Sequence, residues 1–307
     1  MRLTRGLTGL TVPEGRRALT IGAFDGLHLG HQALIARLAA LARARGEGAW
    51  LVSFEPLPRE FLQPSDPPAR LTSLRERWRL LAAQPLETLC LLRFNDALRN
   101  LSPAAFAQAL AGALRASAVV IGHDFRFGRR GEGDPEALRA AGARLGFDVE
   151  VVPPVALEGE RVSSSAIRAA LARGEFERAA RALGRAWTMR GRVVPGQRLG
   201  RTLGFPTANL PIERRRAPVQ GIFAVWVRGL GATALPGVAS LGTRPAVQGT
   251  GPLLEVHLFD YAGELYGREL EVEFVAKLRE EAHFDTLAAL TAQMQRDALA
   301  ARRILGT

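Results

Sequence analysis

Apolar positions follow two different rhythms along this chain. Up to residue 155 they gather into continuous, β-rich runs at 18–24, 49–54, 88–94, 117–122 and 148–155. Between the runs the spacing is helical, at 30–45, 71–83, 103–115 and 135–145. In the first of these, Leu34, Ile35, Leu38 and Leu41 share one face. Strands that are apolar throughout are covered on both faces, and helices between them imply parallel neighbours. The pattern therefore predicts an α/β fold, a doubly wound parallel sheet of Rossmann type. Two further helices are expected near 164–173 and 175–183, the first capped within Ser163–Ser165 and the pair broken at Gly174.

Beyond residue 185 the rhythm shortens. Gly and Pro recur between brief strand-like runs at 188–194, 207–212, 221–227, 237–242, 253–261 and 269–278. Such spacing suits a small antiparallel β-barrel or sandwich, of which the barrel is the expectation. The last stretch, 284–305, reads as one amphipathic helix opened by Asp285. A length of 307 residues accommodates two cores. The expected domains are 1–184 and 185–307, with the boundary in LGRAW.

Composition refines this picture only slightly. The chain is 47% hydrophobic and 23% charged, as for an ordinary folded protein. No apolar stretch approaches a membrane span, and the N-terminal segment lacks the apolar region of a signal peptide. The single cysteine, Cys90, lies in an apolar run and has no internal disulfide partner. These features predict a cytoplasmic protein without a membrane partner. The net charge of +11 raises the question of nucleic acid. However, the arginines are dispersed, Lys277 is the only lysine, and the densest cluster, Arg214–Arg216, has no interleaved aromatics. Attraction of polyphosphate substrates is the simpler use of that field. The pattern leaves the oligomeric state open.

The first chemical constellation is GAFDGLHLGH, where the strand at 18–24 turns into a helix. Helix N-termini present unpaired N–H groups and positive partial charge, which suits phosphate. Gly26 and Gly30 lack a Cβ where a phosphate must approach the backbone. His28 and His31 are three apart, on one helical face, so both can donate to a phosphate oxygen and stabilise charge growing there. The alternatives are a metal pair, with Asp25 the only near third ligand, and incidental polar residues. A second piece, GHDFRFG, follows the strand at 117–122. Asp124 can read an adenine or ribose edge, and Phe125 and Phe127 serve equally as ring stackers or as core. A third, RVSSSAIR, sets Ser164 and Ser165 before a helix with Arg168 a turn further on. This is either a cap with a surface arginine or a holder for β- and γ-phosphates and leaving pyrophosphate.

The second constellation is GQRLGRTLGFPTANL. Gly196, Gly200 and Gly204, with Arg201 among them, can wrap a polyphosphate. Thr207 and Asn209 are two apart, so on a strand they face the same way and offer neutral oxygens suited to Mg²⁺. A polar turn is the plainer alternative.

Taken in order, the N-terminal pieces resemble the nucleotidylyltransferase superfamily, and in their extended form the FMN adenylyltransferase module of bacterial bifunctional riboflavin kinase/FAD synthetases. The segment around PTAN resembles the riboflavin kinase motif. GIF at 221–223, GVASLGTRP at 237–245, LEVHLFDY at 254–261, LYG at 265–267 and LREEAHFDTLAAL at 278–290 follow in family order. The resemblance spans about residue 17 to 303. It implies ATP as co-substrate, Mg²⁺, and riboflavin, FMN and FAD as substrates and products. It also implies Gly22, Phe24, Asp25 and Gly30 at the adenylyltransferase's ATP, Phe54 and Phe127 near its flavin, Glu255 as the kinase's base, and Arg279 and Phe284 beside riboflavin. Departures are Leu57 where the family often has His, Ser165 for Thr, Phe223 for Tyr, Ala246 for Thr and Tyr261 for Phe. Leu57 leaves a rival in which only the kinase is fully active. A basic nucleic-acid-binding regulator on the same scaffold is the rival of another class, and a pure binder needs neither HxGH nor PTAN.

Overall fold

The structure, a computed structural model, describes residues 1–6, 14–196, 199–242 and 252–307. It holds two compact units, Met1–Pro68 with Arg77–Ser163, and Ala69–Glu76 with Ser164–Thr307.

The first unit is built on β1 (Arg2–Arg5), β2 (Arg17–Ile21), β3 (Gly48–Glu55), β4 (Thr88–Arg93), β5 (Ala116–Gly122) and β6 (Asp148–Val152). Their order is β1-β4-β3-β2-β5-β6, and every pairing is parallel. Around them run α1 (Leu29–Arg45), α2 (Pro58–Leu62), α3 (Leu74–Ala82, whose first residues count with the second unit), α4 (Asp96–Arg99), α5 (Pro103–Gly112) and α6 (Pro135–Leu145). Successive residues of one strand feed opposite cores, as period-two geometry requires. Leu19 and Ile21 pack with Phe106 and Leu110, while Ala18 packs with Ile35 and Leu38. Both faces are thus covered, as the continuous apolar runs predicted. β1 was not expected: RLTR holds a single apolar residue, is short, and forms an edge. A hairpin, β7 (Ala156–Leu157) and β8 (Glu160–Arg161), closes the unit. The strand order reverses at β2, with β3 and β4 on one side and β5 and β6 on the other. In doubly wound sheets ligands bind beyond the C-terminal ends of strands at such a switch point. HxGH follows β2 and GHDFRFG follows β5.

The second unit carries α7 (Ser164–Ala172), α8 (Phe176–Leu183), β9 (Thr188–Arg192), α9 (Leu199–Thr202), β10 (Ala208–Pro211), β11 (Gly221–Arg228), β12 (Leu235–Gly242), β13 (Leu253–Leu258), β14 (Glu269–Arg279) and α10 (Leu287–Leu305). The strands form an antiparallel sheet in the order β10-β13-β12-β11-β14-β9. Its outer strands meet where the Val194 N–H donates to the Asn209 carbonyl at 2.9 Å, which nearly closes a barrel. Phe223 and Phe274 fill the interior with Trp187, and Phe176 of α8 packs edge-on to Phe223 at 5.8 Å. α7 and α8 thus pack into the barrel's core. α10 is capped by Thr286, whose Oγ1 accepts the Ala289 N–H at 3.1 Å, one residue after the expected Asp285.

Arg214 is buried, and its guanidinium meets Glu76 at 2.5 Å and the Leu71 carbonyl at 3.1 Å. Glu76 also accepts the Arg190 N–H at 2.8 Å, and Trp187 Nε1–H donates to Leu71 at 3.1 Å. The Arg214–Arg216 run is therefore no continuous basic patch. Removing one partner of a buried pair strands the other charge, so Glu76→Ala should cost about 3 kcal/mol. The check is a lowered denaturation midpoint, with Glu76→Gln intermediate. Among the described residues no helix is long and apolar enough to cross a membrane.

Candidate active sites

At the switch point β2 ends in a strained turn. Phe24 has φ 51° and Leu27 φ 44°, a left-handed conformation that costs a non-glycine residue about 1–3 kcal/mol. The surroundings hold it there. The buried Arg77 donates to the Ala23 carbonyl at 2.9 Å, the Phe54 carbonyl at 3.0 Å and Glu55 at 2.9 Å. Ser53 Oγ donates to the same Ala23 carbonyl at 3.2 Å, and Gln32 donates to Leu27 at 2.9 Å. Sequence reasoning missed Arg77 and Ser53. Nothing local marks a charged residue in an amphipathic helix as the clamp of a distant turn.

The turn delivers both histidines to the first turn of α1. His28 is the N-cap, and its Nδ1 accepts the His31 N–H at 3.3 Å. A ring nitrogen that accepts carries no proton, so in the neutral ring the proton sits on Nε2. The two rings stack at 3.7 Å, and Phe24 lies 4.9 Å from His31. A Cβ on Gly30 would stand 3.1 Å from His28 Cε1, so glycine here makes room for the imidazole. Gly22 serves Phe24 likewise, its own would-be Cβ lying 3.1 Å from that ring. Asp25 is 1% exposed.

Beyond β5, Asp124 accepts from Arg161 of β8 at 2.5 Å. Partial burial raises its carboxyl, but the Arg161 hydrogen bond and charge outweigh that and hold it below the usual carboxylate range. Phe127 is packed as core, 5.5 Å from Phe106, while Phe125 is half-buried. Phe54 is buried against Phe94. Leu57 is buried and precedes α2. Ser164 and Ser165 open α7 in the second unit, where Arg168 Nε donates to the Ala69 carbonyl at 2.5 Å.

The barrel carries its own cavity, lined among others by Thr207, Ser240, Glu255, His257, Arg279 and Phe284. Register explains the grouping. Glu255 on β13 lies directly opposite Asn209 on β10 and Ser240 on β12, so the three form a row on one face. Asn209 is nearly buried, and its amide donates to the Thr207 carbonyl at 3.4 Å. A Cβ on Gly196 would come within 2.6 Å of Asn209 Cγ, so that glycine leaves the amide its place. Gly200 and the exposed Arg201 lie in α9, and Gly204 follows it. Arg279 is fixed by Asp297 of α10, with Nε at 3.0 Å and Nη2 at 2.7 Å, and stands 5.7 Å from the Phe284 ring. Asp297 and His257 both escaped sequence reasoning. Thr243 to Ala246 of the expected GTRPA lie outside the described residues.

A family model described as FAD synthetase matches residues 12–166, and one described as riboflavin kinase matches residues 183–305. The bifunctional riboflavin kinase/FMN adenylyltransferase of Escherichia coli K12 is 44% identical over 100% of this chain and 98% of its own length. That of Pseudomonas fluorescens is 45% identical over 99% and 98%. A crystal structure from Streptococcus pneumoniae named as a macrolide-efflux protein superposes with a TM-score of 0.81 at 28% identity, covering 98% of this chain and 99% of that one. That name is said of that protein, and the likeness here is one of fold. With both halves matched in order along a shared length, the chain belongs to the family of bifunctional riboflavin kinase/FMN adenylyltransferases.

Proposed function

We propose that this chain makes FMN and then FAD, with Glu255 and the PTAN turn serving the first step and the HxGH turn the second. In the barrel, riboflavin's 5′-hydroxyl attacks the γ-phosphorus of ATP. Its proton passes to the Glu255 carboxylate as the new O–P bond forms and ADP leaves. Arg279 and Phe284 line the flavin side. Gly196, Gly200, Arg201 and Gly204 flank the polyphosphate. Thr207 and Asn209 offer two neutral hard oxygens, a donor set that fits Mg²⁺ sharing its remaining positions with phosphate and water. When bound there, Mg²⁺ supplies neutralisation of charge on the phosphate oxygens.

In the parallel-sheet unit the FMN phosphate attacks the α-phosphorus of a second ATP and pyrophosphate leaves. His28 and His31 donate to the oxygens that gain charge. Gly22, Phe24, Asp25 and Gly30 shape the turn beneath the nucleotide. Asp124 stays ionised and accepts from base or ribose. Phe54 and Phe127 form the buried floor on the flavin side. Ser164, Ser165 and Arg168 receive pyrophosphate, a role supported by their motif. The functional domains are taken as 1–184 and 185–307, and the reaction is placed in the cytoplasm, where ATP and flavin are both at hand.

The observation that supports the reading is the cross-strand pairing of Asn209 with Glu255, a residue that lines the cavity. Asn209 is taken as the phosphate-side ligand and Glu255 as the base. Incubation with riboflavin, ATP and Mg²⁺, followed by chromatography, should yield FMN and then FAD. FMN without FAD would leave the kinase alone. Asn209→Ala should slow riboflavin phosphorylation tenfold or more while supplied FMN is still adenylylated at the parent rate.

A further inference from the structure

We propose that His257 is a positioning residue of the kinase site: its Nδ1–H, bonded to the Pro206 carbonyl, fixes the turn that presents Thr207 and Asn209 to the nucleotide. The inference rests on the reading of that turn as the ATP side of the cavity.

Strand β10 begins at Ala208, paired with Val256, so the ladder holds Ala208 and Asn209 but not Pro206 and Thr207. Pro206 and Thr207 must be held otherwise. Pro206 has no N–H, which leaves its carbonyl as the only polar backbone handle. His257 takes that handle, with Nδ1 2.9 Å from the Pro206 oxygen. A carbonyl only accepts, so Nδ1 carries the proton.

The ring is itself held. Phe205 meets it edge-on at 5.1 Å and Phe259 at 5.9 Å. Phe259 is 4% exposed and packs with Ala301 of α10. Chain geometry adds a reason for this residue at this place. Glu255 and His257 are two apart on β13, so both face the cavity that they line. One strand thus carries the base and, next along the same face, the anchor of the phosphate-side turn. A histidine present only for packing would be replaceable by another flat ring.

His257→Phe keeps a ring between Phe205 and Phe259 and removes the donor. His257→Asn keeps a donor near the position of Nδ1 and removes the ring. In the full-length enzyme, His257→Phe should raise KM for MgATP in riboflavin phosphorylation about tenfold, the scale of one lost hydrogen bond. Its kcat and its KM for riboflavin should stay within about twofold, and adenylylation of supplied FMN should be unchanged. His257→Asn should hold KM for MgATP within about threefold of the parent. A parent-like KM for MgATP in His257→Phe overturns the proposal, as does a fall in kcat at unchanged KM. So does an Asn variant as impaired as the Phe variant, including the case where both lose adenylylation too. Failure of the underlying site reading looks different: Asn209→Ala would then phosphorylate riboflavin as the parent does.

Discussion

His31→Ala should slow FAD formation from supplied FMN about a thousandfold while riboflavin is still converted to FMN at the parent rate, so that FMN accumulates. The size follows from removing one donor aimed at charge that grows in the transition state, worth about a hundred- to a thousandfold elsewhere. The local geometry makes His31 the cleaner of the two histidines to test. The cap of α1 is a bond from the His31 backbone N–H to His28 Nδ1, and alanine at 31 keeps that N–H. His28→Ala would remove a donor and a helix cap together, and a lost cap alone costs about 1 kcal/mol. Single-turnover chromatography of FMN, ATP and Mg²⁺ gives the rate. Parent-like FAD formation in His31→Ala would remove this residue from the chemistry.

How much of this was legible beforehand depended on sequence distance. The strands of the parallel sheet read directly, because burial on both faces leaves continuous apolar runs. β1 did not, because Arg2 to Arg5 form a short, mostly exposed edge with a single apolar residue. HxGH and PTAN read directly too, since each packs its chemistry into a few consecutive residues. Their supports are remote. Arg77 reaches Ala23 across 54 positions, His257 reaches Pro206 across 51, and Asp297 reaches Arg279 across 18. No local pattern announces such partners. The same holds for residues 69–76, which sit in sequence among the first unit's strands and pack with the second. The bonds responsible, Glu76 to Arg214 and Trp187 to Leu71, span 138 and 116 positions. At Gly30 the atoms nearest the missing side chain belong to His28, a close approach that the spacing of the motif does not announce.

Leu57 is 5% exposed and apolar, so its side chain supplies neither a proton nor a hydrogen bond where the family pattern resembled by this sequence often has an imidazole.

Glu255→Gln isolates the kinase half in the same manner. Glutamine keeps the length and hydrogen-bonding capacity of the side chain but cannot take the proton from riboflavin's hydroxyl. General-base catalysis contributes about a hundred- to ten-thousandfold, so phosphorylation should fall about a thousandfold with KM values within a few fold. Adenylylation of supplied FMN should be untouched. The neighbourhood also says where to look should more than a tenth of the rate survive. Two other carboxylates line the cavity. Asp297 is committed to Arg279 by a two-pronged bond and to Gln293 at 2.8 Å, which leaves it poorly placed to accept another proton. Glu281 is exposed, rests against Gly242 and accepts a 3.2 Å bond from Gln220. Glu281→Gln is therefore the discriminating companion. A thousandfold loss in Glu255→Gln with a near-parent rate in Glu281→Gln assigns the base to β13, and the reverse pattern moves it to the segment after β14.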